Sequence, residues 1–168
     1  IREALLRRSL SLSLRIYMDT SNQKLIELKN YKKPEHFIKD VHLTFDLHST
    51  STLVKSKLNI SCTKEGRNSE LVLNGEEIIL EKVKVDGEEL SKDHYKINAN
   101  QMIIAALGKE HFTLEIENRV NPEANKALDG LYKSGSIFCT QNEAEGFRRI
   151  TYYPDRPDVM SVFTTKII

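Results

Sequence analysis

The chain of 168 residues has no tryptophan, two cysteines, four prolines and a net charge of only +1. Each scarcity excludes something. Two thiols, Cys62 and Cys139, are too few for the disulfide framework of a small secreted domain. Both lie inside apolar runs, where a free cysteine behaves as a small buried hydrophobe. They are read as reduced and structural, which fits a reducing compartment such as the cytoplasm. No apolar run approaches the roughly 18 residues that a membrane helix needs. A charge balance this close to zero gives no electrostatic pull toward nucleic acid or an acidic membrane, and neither is expected as a partner. The chain also lacks H-E-x-x-H, C-x-x-C, G-x-S-x-G, a P-loop and a dinucleotide fingerprint. Its histidines are His36, His42, His48, His94 and His111. His42 and His48 share a strand face but stand six residues apart, roughly 20 Å along the strand. They cannot hold one ion without another strand between them and are read as solvent-facing. No metal site and no catalytic residue is expected within the chain.

What is present is the make-up of one ordinary globular domain, 39% apolar and 29% charged. A chain of this length buries about two thirds of its unfolded surface, with six Tyr and six Phe as its large core pieces. Residues 1–17 carry Arg2, Arg7, Arg8 and Arg15 against the single acid Glu3. Three readings of this stretch stand: upstream sequence with translation starting at Met18, an organelle transit segment, or an ordered N-terminal helix. Residues 1–30 are therefore set apart as a basic leader, and 31–168 are taken as the domain.

From residue 36 the hydrophobic period is two. Val41, Leu43, Phe45 and Leu47 alternate with polar residues, and Val54, Ser56, Leu58, Ile60 and Cys62 repeat the pattern after a polar turn. Short apolar runs come next at Leu71–Leu73, Ile78–Leu80, Val83/Val85, Tyr95/Ile97, Met102–Ile104 and Phe112–Val120. Asn74-Gly75 and Asp86-Gly87 are hairpin-type turn signals. Seven or eight strands about ten residues apart predict an all-β fold, an antiparallel sandwich or strongly curved sheet. Residues 121–136 read as a long ordered loop, with Pro122 blocking strand continuation. Apolar runs resume at Ile137–Thr140 and Ile150–Tyr153. Val159–Ile168 is strand-like, and because the chain stops inside it, more protein is expected beyond Ile168.

Two polar clusters stand out. Gln141-Asn142-Glu143-Ala144-Glu145-Gly146 lies between two apolar runs, so its backbone should be firmly held. Its carboxylates accept hydrogen bonds only, which suits a cationic amine. By composition it reads either as a solvated loop or as an amine-binding site. Arg148-Arg149 with Asp155-Arg156-Pro157-Asp158 reads as a salt-bridged turn.

The run CTQNEAEGFRRITYYPDRPDVMSVFTTKI, Cys139 to Ile167, closely resembles a segment of the bacterial and apicomplexan aminopeptidase N proteins. Asn121–Gly135, Ile38–Leu47 and Leu71–Leu80 match the same domain in the same order, so the resemblance covers about residues 31–168. It implies the all-β, saddle-like first domain of a multidomain zinc aminopeptidase, a hydrolase that releases N-terminal amino acids from peptides. The zinc, its H-E-x-x-H ligands and the general base would sit in a catalytic domain outside this chain. The resemblance also gives two residues a role. Glu143 would be an ionised partner for the substrate's α-ammonium, and Gln141 would shape the pocket for the first side chain. Asn142 and Pro154 depart from the family, where Cys and Leu or Ile are common; neither change removes a functional group. The implied setting is cytoplasmic, or an organelle if the leader is a transit segment. The fragment alone is expected to be inactive, with a large apolar face exposed where the catalytic domain would pack. The alternative is a free-standing β-sandwich module that binds peptides or proteins without cleaving them.

Overall fold

The computed structural model describes residues 27–168. The basic stretch 1–17 and the start at Met18 lie outside the described residues. The chain divides into two units at Lys32/Lys33. In the first, the described residues form one 3-10 turn, Leu28–Asn30. The second unit holds all the strands found among the described residues.

There, eleven strands run in chain order: β1 His36–Asp46, β2 Thr52–Cys62, β3 Leu71–Asn74, β4 Ile79–Val85, β5 Glu88–Glu89, β6 Tyr95–Ile97, β7 Gln101–Ile104, β8 His111–Val120, β9 Gly130–Ser134, β10 Ile137–Gln141 and β11 Val162–Ile167. Among the described residues the only helical pieces are 3-10 turns, so the all-β expectation holds. The strands form a six-stranded sheet in the order β11-β1-β2-β8-β4-β5, a three-stranded sheet β3-β7-β6, and the hairpin β9-β10. The pairings are antiparallel but for β1 with β11, which is parallel. A parallel pair needs a long crossover; β11 comes to the edge of the sheet only after the chain has passed through the other nine strands.

Alternation sets the core. Along β8, Phe112, Leu114, Ile116, Asn118 and Val120 are buried while their neighbours face outward. Val41 and Leu43 of β1 and Val54 and Leu58 of β2 join them, against Leu71 and Leu73 of β3 and Met102 and Ile104 of β7. Burying each such side chain contributes roughly 1.5–3 kcal/mol. The opposite face of the large sheet is charged, with Lys55 3.5 Å from Glu117 and Lys57 3.1 Å from Glu115 across the strands.

The local readings fare unevenly. Ile79, Leu80, Val83 and Val85 of the two predicted runs belong to one strand, β4, whose register shifts between Leu80 and Lys82, while Ile78 lies just before it. The extra residue breaks the period, so one bulged strand reads as two. Asp86 and Gly87 do take left-handed backbone, φ 53° and 86°, and turn β4 into β5. Asn74-Gly75 does not; glycine is needed there because a Cβ would lie 2.3 Å from the Tyr152 ring. The loop predicted over 121–136 contains β9, whose Gly-Leu-Tyr-Lys-Ser composition carries too little alternation to announce a strand. Cys62 and Cys139 are free and only partly buried, with burial pushing the Cys62 thiol up from its usual value.

Candidate functional site

The acidic loop grows from the end of β10. Gln141 is the last residue of that strand and pairs with Gly130 of β9. The chain then leaves the ladder and closes at Gly146, whose N–H donates to the Asn142 carbonyl at 3.0 Å. A Cβ at Gly146 would stand 2.3 Å from the Gln141 carbonyl oxygen and 3.0 Å from the Gly130 nitrogen. Gly130 has φ 69°, and a Cβ there would meet the Arg149 Cβ at 2.6 Å. Backbone thus packs directly on backbone at the neck of the loop. Above the neck, residues 141–145 are exposed.

The turn brings the two predicted site residues together. The Gln141 side-chain oxygen accepts the Glu143 N–H at 3.2 Å, and the Glu143–Ala144 peptide is cis. The loop's two carboxylates are not equivalent. Glu145 is 3.1 Å from Arg148 Nη1, whereas among the described residues no cation lies within ion-pair range of Glu143. An unpaired carboxylate in water keeps its full capacity to accept from an ammonium group.

The support beneath the loop is ionic on one side and hydrogen-bonded on the other. Within the 3-10 turn Phe147–Arg149, Arg148 Nε donates to Asp155 Oδ2 at 3.1 Å and its Nη2 to the Asp155 carbonyl at 2.9 Å. Arg156 Nε donates to Asp158 at 2.9 Å, so the predicted salt-bridged turn is present. Sequence reasoning misses the partners that come from about 70 residues earlier in the chain. Arg149 lies 3.0 Å from Glu76 and 2.8 Å from Glu77, and the Glu76 N–H donates to the Arg148 carbonyl at 2.9 Å. Inside, Asn118 Nδ2 donates to the Ile150 carbonyl at 2.9 Å, and the Ser56 and Thr151 hydroxyls meet at 3.0 Å. Asn118, Ser56, Thr151 and Ile150 are all buried, so segment 148–153 is fixed to β2 and β8.

Beside the loop opens a groove of about 740 Å³. Leu43 and Phe45 of β1, Phe163 of β11 and Phe138 of β10 line it with Phe147 and Tyr153. Phe147 stacks edge-on against Tyr153 at 5.1 Å and against Phe163 at 5.5 Å. Phe138 and Thr140 line the groove and Gln141 does not, as strand alternation at this end of β10 requires; in the turn beyond, Asn142 lines it and Glu143 does not. β11 is exposed along its whole length. Tyr153 and Ser161 hydroxyls, 2.7 Å apart, anchor its start.

No group of three or more His, Cys, Asp or Glu among the described residues could hold a metal ion. His42 of β1 lies 3.4 Å from Asp40, whereas His48 falls past the end of β1, so the two do not share a strand face as predicted; His48 lies 3.3 Å from Asp46. The site is therefore a loop and a groove: one presents a free carboxylate, the other an apolar surface.

This is an all-β domain with an exposed acidic loop beside an open apolar groove. The Peptidase M1 N-terminal domain model matches residues 28–168, and the chain belongs to that family. Aminopeptidase N of Caulobacter vibrioides is 43% identical over 150 residues, 89% of this chain and 17% of the relative. Aminopeptidase A of Legionella pneumophila, solved in complex with aspartic acid, superposes with a TM-score of 0.78 at 28% identity, over 86% of this chain and 17% of that one. An M1 zinc metallopeptidase of Deinococcus radiodurans, a variant bound to a Tyr-Ser-Ala substrate, shares the fold with a TM-score of 0.65 at 14% identity, over 79% of this chain and 32% of that one. The chain spans about one sixth of the length of the curated relatives it matches. No helix among the described residues is long and apolar enough to cross a membrane.

Proposed function

We propose that this chain is the first domain of a zinc-dependent aminopeptidase and forms one wall of its substrate site. The full-length enzyme releases N-terminal amino acids from peptides. Glu143 accepts the α-ammonium of the substrate, and Gln141 holds the turn and borders the pocket for the first side chain. The observation that carries this reading is the difference between the two loop carboxylates. Glu145 is already paired with Arg148, while Glu143 stands exposed with no cation in ion-pair range among the described residues, on a loop whose neck is backbone packed on backbone.

Zinc supplies Lewis-acid polarisation and an activated water in such an enzyme. The described residues offer no ligand set for it, so its ligands are assigned to the catalytic domain of the same polypeptide. That domain is the occupant of the apolar groove. The relatives of this chain are about six times longer than it is, and a strand exposed on both faces beside three clustered aromatic rings is a surface that needs covering. Residues 1–30 are assigned as a basic leader or as upstream sequence. The enzyme works in the cytoplasm, or in an organelle if that leader is a transit segment, and takes peptides rather than nucleic acid or membrane as its partners.

The test is kinetic. In the full-length enzyme Glu143→Ala raises KM for amino-acid anilides by about 10- to 100-fold, the worth of one hydrogen-bonded charge pair. Unchanged KM and kcat would overturn the amine-anchor role.

A further inference from the structure

Arg148 reaches two ends of the site at once. Its side chain is only 14% exposed, and one guanidinium serves both the loop and the support. Nη1 faces Glu145 of the loop at 3.1 Å and lies 3.9 Å from Glu76. Nε and Nη2 hold the Asp155 side chain and carbonyl, and the Arg148 N–H donates to Asp155 Oδ2 at 3.1 Å. Asp155 is in turn tied to β3, because its N–H donates to the Asn74 side chain at 3.1 Å. A continuous path therefore runs from β3 through Asp155 and Arg148 to Glu145, the next carboxylate along the loop from Glu143.

We infer that Arg148 is a positioning residue for substrate binding. It draws Glu145 down onto the support, which sets the height of the loop and leaves Glu143 as the single carboxylate offered to the ammonium. The inference rests on the amine-anchor reading of Glu143. A planar fork suits this task, since it meets two acceptors in fixed directions, whereas lysine is a point charge on a flexible stem. The loop end of the path is separable from the rest: Glu145 is 62% exposed, so its amide variant removes one ion pair and leaves Asp155 engaged.

The experiment uses the full-length enzyme with Glu145→Gln, Arg148→Lys, the double variant and Glu143→Ala, each assayed on amino-acid anilides and melted. Glu145→Gln is expected to raise KM about threefold to tenfold with kcat and melting temperature held, because misplacing a binding group costs affinity before chemistry. Arg148→Lys is expected to raise KM at least as much, and adding Glu145→Gln to it to change KM no further, since both act through one link. Suppose Glu143→Ala raises KM while Glu145→Gln leaves it untouched and Arg148→Lys only lowers the melting temperature. Arg148 is then a structural residue, and the positioning role is wrong. If Glu143→Ala itself leaves KM unchanged, the amine anchor fails and the inference falls with it.

Discussion

Two glycines, Gly130 and Gly146, decide how closely the acidic loop can approach its support. Gly146 has no room for a Cβ, since the nearest atom is the Gln141 carbonyl oxygen at 2.3 Å and backbone cannot swing aside. Gly146→Ala is expected to destabilise the domain by about 1–3 kcal/mol, an overpacking cost, measured as a lower midpoint in urea. Among titratable residues, His36 gives the stability of the domain a pH dependence through its burial. Desolvation pushes its imidazole below the usual 6.5, against the opposing pull of Glu35 and a Gly66 backbone hydrogen bond. The folded state therefore holds it neutral, while the unfolded chain takes up its proton first as pH falls. The stability it contributes is present above about pH 6.5 and is lost as pH drops through the folded value. His36→Gln should flatten that part of the stability profile between about pH 7 and pH 5; an unchanged slope in urea titrations at both pH values would assign it to other groups.

At the scale of elements, the segment 148–153 links the loop to the large sheet without being a strand itself. Asn118 is its main tie. The side chain is fully buried, donates to the Ile150 carbonyl, and carries an oxygen with no hydrogen-bond partner among the described residues. Asn118→Ala would orphan that carbonyl at a cost of about 1–3 kcal/mol. Amide exchange should accelerate across 150–153 first. This element also marks where sequence reasoning stops. Period two locates β1, β2 and β8 well, because each has one wet and one dry face. It splits β4 at a bulge, passes over β9 for want of alternation, and sees Ile150–Tyr153 as an apolar run without a role. Gln141 and Glu143 are legible as residue types in a held loop, and the resemblance supplies their roles. The inequality between Glu143 and Glu145 is invisible, since it depends on Arg148 reaching one carboxylate and not the other. The support from Glu76 and Glu77 is equally hidden. Contacts between residues about 70 positions apart leave no mark in a local pattern.

For the whole molecule, the groove and β11 matter most. Met160, Val162 and Ile167 are 87%, 70% and 66% exposed, beside an edge of the six-stranded sheet that has no further strand among the described residues. Such an edge and patch invite association when nothing covers them. The 168-residue chain by itself should self-associate at high concentration, and Phe163→Glu should reduce that association in sedimentation runs. A monodisperse monomer at all concentrations would show that the groove needs no cover. With zinc added, the same chain should leave amino-acid anilides uncleaved. Robust hydrolysis would mean that the chemistry does not require the rest of the polypeptide.

The central claim is that Glu143 reads the free amine of the substrate. The most direct measurement compares two competitive inhibitors of the full-length enzyme, identical except that one lacks the α-amine, against the native enzyme and Glu143→Gln. The native enzyme should prefer the amine-bearing inhibitor, and Glu143→Gln should shrink that preference at least about tenfold, or ~1.4 kcal/mol of coupling. A preference that is the same in both enzymes would contradict the account.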